Sequence, residues 1–98
     1  MELDEMQKRV VKYKVDKGFN MTNVETEFCL MYGEAGEAFD AYRKKKSDLG
    51  EELADVAIYL LGLADMLGFS LQNEVEKKMK INESRQYEMV NGILVKKK

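Results

Sequence analysis

Apolar positions recur every three to four residues along most of the chain, a spacing that predicts four helices. Leu3, Met6, Val10 and Tyr13 mark the first, over about 3–17, and Gly18 ends it. Thr22, with Glu25 three residues on, reads as an N-cap and capping box for a second helix over about 22–45. Its apolar stripe is Val24, Phe28, Met31, Ala35, Phe39 and Tyr42. Asp48 with Glu51 opens a third helix in the same way, over about 48–67, with Leu49, Leu53, Val56, Leu60, Ala64 and Leu67 inward and Gly68 as its stop. Ser70 caps a fourth over about 71–86, carrying Leu71, Val75, Met79 and Asn82. With no proline in the chain, caps and glycines are the only punctuation. Over about 87–95 the pattern becomes that of a hairpin, because Asn91-Gly92 between Val90 and Ile93 is a type I′ turn signal. The fold class is therefore all-α: one domain over 1–98, a four-helix bundle with a short C-terminal β-hairpin.

The third helix is apolar beyond one stripe, since Ile58, Tyr59, Leu61, Leu63 and Met66 cover much of its other side. A helix apolar nearly all round is buried on more than one face. A chain of 98 residues has little second cover of its own. Another subunit is the simplest second cover, the alternative being the central helix of a monomeric bundle.

Composition narrows the chemistry. Apolar residues make up 45% and charged residues 35%, too apolar for disorder and too charged for a membrane protein. The net charge of −2 argues against polymeric nucleic acid as a partner. The absence of histidine excludes every Ser-His, Cys-His and His-metal mechanism. Cys29 stands alone in an apolar-periodic stretch and reads as a reduced core thiol. No apolar signal region opens the sequence, and no long charge-free run could span a bilayer, so the expected location is cytoplasmic.

The acids are segregated from the bases. Between Phe19 and Tyr42 lie Glu25, Glu27, Glu34, Glu37 and Asp40 without a single base, and all the bases between Phe19 and Glu76 fall in Arg43-Lys44-Lys45-Lys46. Glu34, Glu37, Glu52 and Asp55 have no Lys or Arg three or four residues away; Glu34 instead faces Glu37, and Asp55 faces Glu51 and Glu52. Such like-charge pairs cost a helix a few tenths of a kcal/mol each. At about 100° per residue, Glu34 and Glu52 flank their apolar stripes rather than oppose them. Two such pairs on neighbouring antiparallel helices would surround one point with four carboxylates, and a divalent cation would relieve the repulsion. With oxygen ligands alone, the expected ion is Mg²⁺, with Mn²⁺ as a substitute. Gly33 and Gly36 inside the second helix suggest close approach of a neighbour or ligand. On the fourth helix, Lys78 and Asn82 are i,i+4 neighbours with Arg85 one turn on, a set suited to phosphate.

Glu34-x-x-Glu37, followed after fourteen residues by Glu52-x-x-Asp55, resembles the signature of the MazG-type all-α nucleoside triphosphate pyrophosphohydrolases. The strings GEAGEAFDAYRKK, DLGEELADVAIYLLGLADMLGFSL and EKKMKINESRQY carry the likeness from about Phe28 to Tyr87. It implies hydrolysis of a (d)NTP between the α- and β-phosphates, giving NMP and pyrophosphate, in a Mg²⁺-dependent homo-oligomer, a dimer or dimer-based tetramer. Glu34, Glu37, Glu52 and Asp55 would then be metal ligands, and Lys78, Asn82 and Arg85 would contact the phosphates. Gly33 stands where the family usually has a first glutamate, so Glu37 or Glu34 is expected to take the proton of the attacking water. Phosphoribosyl-ATP, or a non-catalytic interaction role, is the alternative. Phe19, Phe28, Tyr32 and Tyr59 are the candidates for stacking on a base.

Overall fold

The structure, a computed structural model, describes residues 1–97. Four helices, α1 (Leu3–Lys17), α2 (Val24–Arg43), α3 (Leu49–Met66) and α4 (Leu71–Ser84), lead to an antiparallel hairpin of β1 (Tyr87–Val90) and β2 (Ile93–Lys96). The all-α class and the order of elements are as the sequence predicts.

Local chemistry explains the boundaries. Gly18 (φ +73°) closes α1, with its own N–H and that of Phe19 donating back to Val15 and Lys14. Gly68 (φ +82°) closes α3 in the same way against Asp65 and Ala64. At the end of α2 a lysine does this work: Lys45 adopts φ +54°, a conformation that costs an L-residue about 1–2 kcal/mol. Asn91 and Gly92 both have positive φ, as a type I′ turn requires.

Two caps differ from expectation. Asn23, not Thr22, caps α2: its side chain accepts from the Thr26 N–H at 3.0 Å. The Asn20 side chain folds the preceding loop by accepting from the N–H groups of Thr22 and Asn23, which moves the boundary one residue on. Asp48 occupies the N-cap position of α3, but its carboxylate makes no cap bond. Ser70 caps α4 by accepting from the Asn73 N–H.

The α2–α3 hairpin is the centre of the molecule; α1 lies across α3, and α4 leans on α1 and α3 after a 102° bend. The start of α4 is fastened by polar bonds. The Gln7 side chain donates to the Phe69 carbonyl and accepts from the Leu71 N–H, while Ser70 donates to Asp4 at 2.7 Å.

Burial corrects the predicted faces. On α3 the buried residues are Leu61, Gly62, Leu63 and Ala64, with Tyr59 and Met66 half-buried, whereas Leu53, Leu60 and Leu67 are exposed. The helix does have two apolar faces, but the one assigned to a second subunit is largely covered by the chain itself. The reason is α1, which crosses α3 at Gly62 and draws that side inward. On α2, Ala38 and Ala41 are buried while Ala35, Phe39 and Tyr42 are exposed. Gln7 and Lys14, not Met6 and Tyr13, are the buried residues of α1. No residue of α4 is buried, and Val75 and Met79 are exposed. Cys29 is a free, exposed thiol, not a core residue. No single helix among the described residues is long and apolar enough to cross a membrane.

Candidate functional site

Glu34 and Glu37 stand one turn apart on α2, and Glu52 and Asp55 one turn apart at the start of α3. Packing of the two helices gathers Glu34, Glu37 and Glu52, each offering a carboxylate oxygen within 4.8 Å of the others. Asp55 is not in this group. It is exposed and lines the adjoining cleft with Glu34, close enough for its charge to act on both Glu34 and Glu52.

The cluster is electrostatically unsatisfied. Glu34 Oε2 and Glu52 Oε2 are shielded from solvent and have no hydrogen-bond partner, as is Asp48 Oδ1 nearby in sequence. Desolvation raises the Glu34 pKa above the ordinary glutamate range, and the charges of Glu37, Asp55 and Glu52 raise it further. Glu52 is raised by desolvation and then by Glu37, Asp48 and Asp55. Asp40, farther along α2, shows the contrary state: the Arg43 guanidinium hydrogen-bonds it at 2.7 Å and lowers its pKa. No member of the cluster has such a partner among the described residues. An all-oxygen donor set with orphaned carboxylate oxygens fits a hard divalent cation.

A cleft of about 650 Å³ opens beside the cluster, with Glu34 and Asp55 at its acidic end. Of the aromatic candidates, Phe19 and Tyr59 line it; Phe28 and Tyr32 do not, and pack instead against each other with centroids 6.3 Å apart. Tyr13 also lines the cleft and meets Phe19 edge-on at 5.6 Å. Burial raises the Tyr59 pKa, as do the charges of Glu27, Glu34 and Asp55, so its phenol stays protonated and able to donate.

Sequence reasoning missed the other polar feature of this cleft. Lys14 reaches over Gly62 to meet Glu27 at 2.5 Å, with both side chains buried. The available signal was faint: Glu27 lies seven residues before Glu34 and therefore on the same helix face. The close approach expected at Gly33 and Gly36 belongs to Gly62 instead, since nothing lies within 4 Å of a Cβ at either α2 glycine.

The phosphate candidates sit elsewhere. Arg85 donates to Asn82 at 3.0 Å, and Lys78 projects from the exposed side of α4. Since α4 packs on α1 and α3 and not on α2, the three lie outside the cleft and off the helix bearing Glu34 and Glu37.

A family model described as the MazG-like family matches residues 24–97. The match takes in α2, α3, α4 and the hairpin, and with them every acid of the cluster. No curated protein and no solved structure matches the chain. The chain belongs to the MazG-like family. That membership suggests a function of the nucleotide pyrophosphohydrolase type.

Proposed function

We propose that this member of the MazG-like family is a Mg²⁺-dependent hydrolase that cleaves a (d)NTP between its α- and β-phosphates, releasing (d)NMP and pyrophosphate. The observation that carries the reading is the uncompensated trio Glu34, Glu37 and Glu52, two of whose oxygens are buried without partners. Glu34, Glu37 and Glu52 would hold the cation, with Asp55 completing the set from the cleft side. When bound, Mg²⁺ supplies neutralisation of phosphate charge and acidification of a coordinated water. Glu37 is exposed and adjoins both other carboxylates, which favours it over Glu34 as acceptor of the proton from the attacking water. The cleft would take the nucleoside, with Phe19 and Tyr59 as the aromatic lining residues available to its base.

The active form is proposed to be a homodimer. Lys78, Asn82 and Arg85 do not line the cleft of their own chain, so phosphate contacts by these residues call for a second copy. The groove of Phe39, Tyr42, Leu53 and Leu60 on the outer side of α2 and α3 is the apolar surface such a copy would cover.

The deciding experiment incubates the protein with Mg²⁺ and a panel of (d)NTPs plus phosphoribosyl-ATP and assays pyrophosphate. Release from one or more (d)NTPs is expected. Turnover of phosphoribosyl-ATP alone would move the substrate assignment, and no turnover by metal-replete protein would leave the non-catalytic reading. Light scattering at micromolar concentration should give at least a dimer; a clean monomer would refute the assembly.

A further inference from the structure

We infer that the buried Lys14–Glu27 pair is the device that reads the hydrogen-bonding edge of the substrate's base. The inference rests on the proposed function only in that a nucleoside occupies the cleft.

The pair is poorly accounted for as a structural staple. Burying two charges carries a desolvation penalty, and apolar side chains of similar volume often hold a fold as well or better. This chain also keeps a glycine inside α3, a poorer helix former than alanine, where the lysine crosses. A Cβ on Gly62 would lie 3.2 Å from Lys14 Nζ and 3.4 Å from its Cδ. The arrangement is thus maintained against two penalties, and both charged side chains line the cleft that adjoins the acid cluster.

The chemistry of the pair selects its ligand. Lys14 has three N–H donors; one goes to Glu27 Oε1, and a second is directed to Met66 Sδ, 3.9 Å from Nζ. Among the described residues only that one oxygen of Glu27 is engaged. What remains is one donor beside one acceptor. Together the two groups carry no net charge, which makes them poor phosphate ligands and suits them to a neutral edge presenting an acceptor next to a donor. Nucleobases present such edges. Arg9, at the same cleft but without a carboxylate partner among the described residues, is the group there fitted to an anion.

The test compares kcat/KM for the four dNTPs in the parent, in Glu27→Gln, and in the double variant Lys14→Met/Glu27→Leu. Glu27→Gln retains an acceptor for Lys14 but replaces an acceptor facing the base by an N–H donor. The double variant removes both charges at once, so no lone charge is left buried and the fold is kept. The order of nucleotide preference should change in Glu27→Gln. In the double variant the ratio between best and worst nucleotide should fall by about tenfold or more, as a lost polar readout predicts. Saturation-transfer NMR with the four phosphate-free nucleosides and metal-free protein provides a readout independent of catalysis, and the same loss of discrimination is expected there. A uniform loss across nucleotides, with ratios preserved, would show that the pair only holds the helices and would overturn the inference while leaving the proposed function intact. Selective nucleoside binding that the variants abolish, in a protein without turnover, would do the reverse.

Discussion

Glu27 and Glu34 lie two turns apart on the same face of α2, and the chain treats them in opposite ways. Glu27 is the more deeply buried, yet its charge is met by Lys14 at 2.5 Å. Glu34 meets other carboxylates instead, leaves Oε2 unpartnered in the interior, and has its pKa raised. A protein able to deliver a buried lysine to one position on this face has not done so at the other. Among the described residues, the lack of a basic partner at the cluster is therefore a property of that position rather than of the face, and it leaves the carboxylates to raise one another's pKa values.

Removing the cation from the compensated site should have the largest effect. Lys14→Met strands Glu27 in the interior, and a loss of about 3–5 kcal/mol is expected by chemical denaturation. A change below 1 kcal/mol would mean that Glu27 is not held as a buried carboxylate and would dissolve the contrast. Supplying a cation to the other site should act in the opposite sense. Thermal melts with increasing Mg²⁺ should rise, reaching about 2.7 kcal/mol at a hundredfold excess over the dissociation constant. The same titration on Glu52→Gln should be nearly flat, and an undiminished rise there would place the ion elsewhere.

Glycines offer a sharper cut of moderate size. Gly62→Ala pushes its methyl group against Lys14 and should destabilise by about 1 kcal/mol or more despite better helix propensity, whereas Gly36→Ala meets nothing within 4 Å and should stabilise the metal-free protein by up to about 1 kcal/mol. Equal effects in denaturation would argue that Lys14 does not cross α3 as seen.

Acidity should reveal the unsatisfied site with a smaller signal. Because Glu34 and Glu52 have raised pKa values, the folded state binds protons that the unfolded chain has already released. Their contribution is therefore present at acidic pH and lost as pH rises from the ordinary glutamate range through the raised values. Metal-free melts should show this decline, and saturating Mg²⁺ should flatten it. The smallest effect belongs to Asp55→Asn, which removes repulsion from an exposed position. The metal-free melt should rise by a few tenths of a kcal/mol while Mg²⁺-induced stabilisation and turnover fall. Full Mg²⁺-dependent turnover in this variant would remove Asp55 from the ligand set.

What the sequence determined alone is what depends on residues within one or two turns of each other. Gly18, Gly68 and Asn91-Gly92 end their elements where expected because left-handed backbone is a local demand. The i,i+3 acid pairs followed in the same way, since helical geometry fixes their neighbours once the helix is granted. Tertiary structure alone decided which side of a doubly apolar α3 faces inward, and it chose Tyr59, Leu63 and Met66 over Leu53, Leu60 and Leu67. Periodicity cannot make that choice, because it reports that two faces are apolar and not where the crossing helix will lie. The same holds for Lys14 and Glu27: they sit on different helices, with a loop between them and a third helix beneath, and they meet only because α1 crosses α3 at a residue with no side chain.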